Sequence, residues 1–219
     1  MGRNHFLNFC TFILVFFSTY NIIAQTQALE KGELWVETKA GLSFYNREIA
    51  RINNNDIDYQ EINNSLRLEF IPQINYAIAN KLFIGGQLGM SYDSFEVKEI
   101  DKNNTSLNYK IGAQLQYYFL KITPQFYLKS EIGANYNHYR VNPAIENLDT
   151  QTSNYLKTYL DAGVSFLSKE DWMVSIFFKD IVTYHSNTPN FENRKDVESS
   201  VIFKDFIRFP HFSVSYRIN

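Results

Sequence analysis

The sequence predicts an all-β fold: an eight-stranded antiparallel up-and-down transmembrane β-barrel with four long external loops and three short periplasmic turns. Three observations predict it. Apolar and polar residues alternate with period two over segments of about 12 residues, longer than the usual ~5–6-residue strand and enough to cross a bilayer at a tilt. The connections between these segments alternate long and short, the rule for transmembrane barrels, whereas compact soluble domains avoid structureless loops beyond ~12–15 residues. Nearly all charges within the alternating segments fall on one parity.

The pattern is clearest from Ser65 to Asp93, SLRLEFIPQINYAIANKLFIGGQLGMSYD. Leu66, Leu68, Phe70, Ile74, Tyr76 and Ile78 share one parity and Arg67, Glu69, Gln73 and Asn75 the other. After a break at Ala79-Asn80-Lys81, Leu82, Ile84, Leu88, Met90 and Tyr92 oppose Gln87, Ser91 and Asp93. Alternation of this kind makes a hairpin with one apolar and one polar face.

What precedes the first strand reads as a leader. Arg3 supplies a positive start, Phe6 to Phe17 is an apolar run, and Asn21-Ile22-Ile23-Ala24-Gln25 ends it. This is the layout of a secretory signal peptide over residues 1–24, cut after Ala24 with Ala28 as the second site, and it leaves residues 25–219 as the barrel domain. The single cysteine, Cys10, lies in the leader, so the mature chain carries no thiol for disulfides, metal sites or catalysis. No later run of 18 apolar residues offers a transmembrane helix. Aromatic content of 16% with a net charge of −2 gives no electrostatic case for nucleic acid.

Strand one is expected over residues 31–45, with Leu34, Val36, Leu42 and Phe44 opposite Trp35, Glu37, Lys39 and Ser43. A polar loop follows over 46–64, and the hairpin above supplies strands two (65–78) and three (82–95). A loop over 96–106 leads to strand four (107–118), where Tyr109, Ile111, Leu115 and Tyr117 alternate with Asn108, Lys110, Gln114 and Gln116. Strand five (124–136) opens on Pro124, a position that a sheet tolerates because the first residue need not donate. A third loop, 137–154, precedes strand six (155–166). A turn at 168–171 opens strand seven (172–184), where Asp180 falls on the apolar parity, so a bulge near Lys179 is expected to re-aim it. The last loop leads to strand eight (203–218), which is expected either to bulge or to begin its regular pairing at Pro210, which lacks a ladder donor.

Energy decides which parity meets lipid. A lysine or arginine on the lipid face at the midplane costs roughly 2–4 kcal/mol. The charged parity therefore points inward, giving an interior network of Glu37, Lys39, Arg67, Glu69, Lys110, Lys129, Glu131, Lys157, Asp161, Lys179 and Arg217. The outward parity carries aromatics at both ends. Tyr76, Tyr117, Phe126, Phe166, Trp172 and Tyr216 lie near the short turns, and Phe44, Tyr92, Tyr109, Tyr136 and Phe178 near the long loops, as two membrane-interface belts require. A soluble lipocalin-like barrel would turn the apolar parity inward and leave the belts unexplained.

The segments KGELWVETKAGLSFY, YKIGAQLQYYF, AGVSFLSKEDWMVSIFF and terminal FSVSYRI, with the 65–93 hairpin, resemble the OmpA/OmpX-like eight-stranded outer-membrane β-barrel proteins. The resemblance covers about residues 31–218 and is a pattern of strands and turns. It implies outer-membrane location, contact with outer-membrane lipid, and insertion by the outer-membrane assembly machinery.

A barrel of eight strands has an interior that side chains fill. Buried charges must be paired, so a plug of ion pairs and hydrogen bonds is expected rather than an open pore. The function this supports is structural or surface-interacting (adhesion, envelope integrity), without enzyme activity or cofactors, and with an external ligand met through the loops. The alternatives are a narrow channel for small solutes, a lipid-modifying barrel enzyme, and the soluble lipocalin-like binder. For an enzyme the local candidates are His138 with Tyr139 and Arg140, and His185-Ser186 with Glu192, neither within a motif. The run Asn53-Asn54-Asn55-Asp56-Ile57-Asp58 offers oxygen ligands for calcium but lacks EF-hand spacing and the turn glycine.

Overall fold

The computed structural model describes residues 29–53, 56–97, 102–143, 150–168, 171–186, 199–202 and 210–218. The leader expected over 1–24 lies outside the described residues. Nine strands run through the described residues: β1 Leu34–Asn53, β2 Asp56–Ala79, β3 Leu82–Val97, β4 Lys102–Lys121, β5 Phe126–Asn142, β6 Gln151–Leu167, β7 Trp172–Ser186, β8 Ser199–Ile202 and β9 His211–Ile218. Each of β1 to β7 pairs antiparallel with the next, and β9 lies between β7 and β1 and closes the ring. The short β8 pairs with the far end of β7, so β8 and β9 are two pieces of one stave. The result is an eight-stranded antiparallel up-and-down barrel.

The short turns follow their residues closely. Asn80–Lys81 joins β2 to β3, with Lys81 in the left-handed region at φ 65°. Between β4 and β5, the Thr123 hydroxyl accepts from the backbone N–H groups of Gln125 (3.3 Å) and Phe126 (3.1 Å). Those bonds hold residues 122–125 as a turn, so Pro124 sits in it and strand five begins at Phe126, two residues later than expected. From β6 to β7 the chain turns through Asp171 at φ 62°.

At the other end the strands run past their expected limits. The ladder of β1 and β2 continues from Arg47↔Ile62 to Asn53↔Asp56, through the residues expected to form a loop over 46–64. Likewise β3 and β4 pair out to Val97↔Lys102, and β5 and β6 to Val141↔Gln151. Backbone N–H and C=O groups need partners wherever they are, and residues 46–64 contain no proline or glycine to stop a ladder. The Asn53–Asp58 run is therefore at the far end of a long hairpin, with residues 54–55 outside the described set. Among the described residues no cluster of three metal-ligating side chains occurs.

Two irregularities shape the wall. On β7 the ladder steps from Leu160↔Val182 to Ala162↔Phe178, so Lys179, Asp180 and Ile181 together oppose Asp161. Asp180 takes φ 58°, and its backbone N–H donates to the Asp161 carboxylate (2.7 Å) in place of a ladder bond. This bulge turns both Lys179 and Asp180 into the barrel. On the last stave, regular pairing of β9 begins at His211, immediately after Pro210; residues 203–209, expected within strand eight, lie outside the described residues.

Before β1 the chain crosses the short-turn mouth. Gly32, in the left-handed region at φ 95°, donates its N–H to the Ala77 carbonyl (2.8 Å), and Lys81 donates to the Leu29 carbonyl (3.0 Å). Leu29 thereby seats inside the mouth against Trp35, Ala77, Phe83, Tyr118, Tyr127, Leu167 and Met173, an apolar cluster buried within the ring. Replacing Leu29 by aspartate is expected to open this cluster. Trp35 fluorescence, read in a Trp172→Phe background, should shift to the red and become accessible to a water-soluble quencher, while the folded barrel persists.

Candidate functional site

Among the described residues the barrel interior concentrates titratable groups, and the alternation of each strand puts them there. It is organised in tiers along the axis.

At the short-turn mouth, Arg217 of β9 binds Glu33 (2.6 Å) and Asp171, with its guanidinium 5.9 Å from the Trp35 ring centroid. Trp35 donates its indole N–H to Glu33 (3.0 Å). This ties the segment before β1 to the last turn and the last strand. Above it lies the apolar cluster, with Phe83, Tyr118 and Tyr127 packed edge to face at 5.4 and 6.1 Å.

The next tier joins Lys39, Glu131, Gln116, Glu37 and Lys129. Lys39 pairs with Glu131, and Lys129 donates to Glu37 (3.3 Å). The Gln116 amide bridges the two carboxylates, donating to Glu37 (2.8 Å) and Glu131 (2.9 Å). Asn75 donates to Glu37 (3.0 Å), and the Tyr159 hydroxyl to Glu131 (2.9 Å). Both ammonium groups lie 4.1 Å from the centroid of the fully buried Phe177 ring, which is thus flanked by two cations. Each carboxylate accepts several bonds, which is the condition for keeping charge in a dry interior.

The third tier centres on Glu69, which accepts from Lys110, Lys179 (2.8 Å) and His211 (2.6 Å). Beside it Lys157 pairs with Asp180 (2.6 Å) across the β7 bulge. Between the second and third tiers a cavity of about 20 Å³ remains, lined by Lys39, Gln87, Lys110, Glu131, Tyr159 and Lys179 among others. That is room for roughly one water. Towards the long hairpins, Arg67 and Asp93 pair at 3.4 Å, and Asn108 donates to Asn137 (3.0 Å).

Glycines make the tiers fit. Gly133 of β5 lies beneath the Tyr159 ring, where a Cβ would come within 2.5 Å of the phenol. Gly133→Val is expected to push Tyr159 off Glu131 and to destabilise the barrel by about 1–3 kcal/mol, read as a lower urea midpoint for loss of the folded gel band.

Of the eleven residues named from the sequence as an interior network, Glu37, Lys39, Glu69, Lys129, Glu131, Asp161 and Lys179 are buried and Arg67, Lys110, Lys157 and Arg217 half-buried. That set holds seven cations and only four carboxylates. The missing counter-charges are Asp93, Asp180, Glu33 and Asp171, with His211 as a further partner of Glu69. Asp93 and His211 could have been found from parity alone. Asp180 needed the bulge geometry, whereas Glu33 shares the parity of Trp35, Glu37 and Lys39 within the strand expected over 31–45 and was legible in the same way.

The outward aromatics stand on the outer wall. Phe44, Tyr76, Tyr109, Tyr117, Tyr136, Trp172 and Tyr216 are exposed, while Tyr92, Phe126, Phe166 and Phe178 are half-buried. Trp172 and Tyr216 pack at 4.7 Å between centroids, Phe126 and Phe166 at 5.1 Å. Of the Ser/His candidates, His138 is exposed on the outer wall with its ring 2.7 Å from the Asn154 side-chain oxygen. The His185 ring packs on Tyr155 at 5.6 Å; Glu192 lies outside the described residues.

Taken together, the ring closure, the alternation and the filled charged interior define the fold of the small eight-stranded outer-membrane barrels. Among solved structures, the chain is similar to the outer membrane protein OprG from Pseudomonas aeruginosa, with a TM-score of 0.52 at 14% identity, covering 87% of this chain and 97% of that one. It is also similar to Neisserial surface protein A (TM-score 0.48, 12% identity, 84% and 97% covered) and to outer membrane protein W of E. coli (0.45, 15%, 86% and 99%). At 14% identity the likeness to OprG shows the fold alone. No protein-family model and no curated protein sequence matches the chain.

Proposed function

We propose that the protein is an integral outer-membrane barrel with a structural or surface-interaction role, and that it neither conducts solutes nor catalyses a reaction. The carrying observation is the inverted polarity of the wall. Leu42, Phe70, Ile74, Leu88, Ile111, Ile132 and Phe212 are each exposed by about half on the outside, while Glu37, Lys129 and Glu131 are at most 1% exposed inside. A water-soluble protein hides its apolar surface and solvates its charges, and monomers rarely expose apolar patches beyond a few hundred Å². Only a hydrocarbon environment makes this arrangement favourable.

In this reading the two sets of outward aromatics sit at the two interfaces. The long-hairpin end faces outward and meets the external partner, outer-membrane lipid surrounds the belt, and the assembly machinery inserts the chain after export through a cleaved signal peptide. Non-conduction is favoured by the apolar cluster at the short-turn mouth and the linked ion pairs above it. The lipid-enzyme alternative gains nothing from His138, whose ring partner is an asparagine.

The test is gel mobility of membrane-extracted protein with and without boiling, followed by planar-bilayer recording. We expect a heat-dependent shift and no stepwise current. Unitary current steps would instead establish the channel, and a soluble periplasmic protein without the shift would establish a ligand-binding barrel.

A further inference from the structure

We propose that a depression in the outer wall, floored by Ala40 and walled by Phe70 and Phe212, seats one acyl chain of a membrane lipid. The inference rests on the reading of the apolar belt as lipid-facing. The depression is a consequence of register. Ala40 on β1 is the direct partner of Phe70 on β2 and of Phe212 on β9. All three point outward, the two phenyl groups being 51% and 55% exposed. Alanine ends at Cβ, so the rings stand proud on either side of it. The channel between them continues along β1 past Leu42, whose partner Leu68 is itself opposite Tyr92 on β3. The depression is open on its outer side and has a volume of about 580 Å³, within the roughly 300–1,000 Å³ of ordinary ligand sites.

The lining dictates the occupant. Water needs two to four polar partners, and this surface is almost wholly apolar. Glu69 borders the floor, but its carboxylate is turned inward and held by Lys110, Lys179 and His211, so it offers a headgroup nothing. An alkyl chain fits, entering from the long-hairpin side where Phe44 and Tyr92 mark the rim of the belt. Small outward residues alone do not create such a place. Ala113 on β4 has Gly86 on β3 and Ala134 on β5 as its lateral partners, so no large side chain stands directly on either side of it.

That contrast supplies the control. Wild type, Ala40→Phe and Ala113→Phe would be refolded in maltoside micelles with palmitoyl-oleoyl phosphatidylethanolamine and examined by native mass spectrometry. One retained lipid per chain is expected in wild type and Ala113→Phe, and roughly tenfold less in Ala40→Phe. Equal retention in all three, no retention in wild type, or a protein dimer in place of the lipid adduct would overturn the proposal. The heat-dependent gel shift, run on the same samples, separates the two readings. A shift without lipid retention sinks only the acyl site, whereas absence of the shift in wild type sinks the membrane barrel itself.

Discussion

Glu69→Ala is expected to cost about 3–5 kcal/mol of folding stability and to be the most damaging single substitution in the interior. Its carboxylate accepts from Lys110, Lys179 and His211, and all four groups are inside the wall. Removing it strands two ammonium groups beside a cavity of about 20 Å³, room for roughly one water. The cost is dominated by those orphaned charges rather than by the lost attraction. A double replacement, Glu69→Met with Lys110→Met, should therefore recover part of the loss despite removing more polar atoms. Arg67→Ala makes the opposite comparison. The Arg67–Asp93 pair is 3.4 Å long and its side chains are 30% and 20% exposed, so its loss should cost only about 0–1 kcal/mol. Urea titration of the folded gel band in vesicles reads all three. An Glu69→Ala variant within about 1 kcal/mol of wild type, the scale of a single ordinary hydrogen bond, would mean that the third tier does not bear on stability.

The wall of the barrel was legible in the sequence because alternation is a local property. Each of Glu37, Lys39, Glu69, Lys129, Glu131 and Asp161 sits in a strand whose neighbours declare its parity, and one parity is too charged to face lipid. Local pattern also placed the β7 bulge, since Asp180 breaks the alternation of Trp172, Val174, Ile176 and Phe178. It could not show which carboxylate each lysine meets, because partners such as Lys179 and Glu69 are 110 residues apart and are brought together only by closure of the ring. Nor could it show the apolar tier. Trp35, Phe83, Tyr118 and Tyr127 lie on the polar parity, and their common destination depends on strand stagger and on Leu29 reaching back across the mouth. The hairpin ends were misjudged for a different reason. Asparagine and aspartate over 46–64 signal loop by composition, yet nothing in that stretch prevents the ladder of β1 and β2 from continuing.

Arginine substitutions along β5 are expected to be costly in proportion to depth, and this series tests the orientation of the whole wall. Ile132 is 57% exposed, midway between Phe126 and Tyr136, with Leu115 and Leu160 as its lateral partners. If hydrocarbon surrounds it, Ile132→Arg should destabilise the folded barrel by roughly 2–4 kcal/mol. Tyr136→Arg, at the edge of the belt, should cost roughly 0–1 kcal/mol, because the longer side chain reaches the interface. In a water-soluble barrel the ordering has no reason to exist: both sites would already be solvated, and arginine at either would be close to neutral. The graded response therefore carries information that neither substitution carries alone. Reversible urea unfolding in phosphatidylcholine vesicles measures it directly, and a flat response across the two positions would remove the energetic basis for placing these residues in lipid.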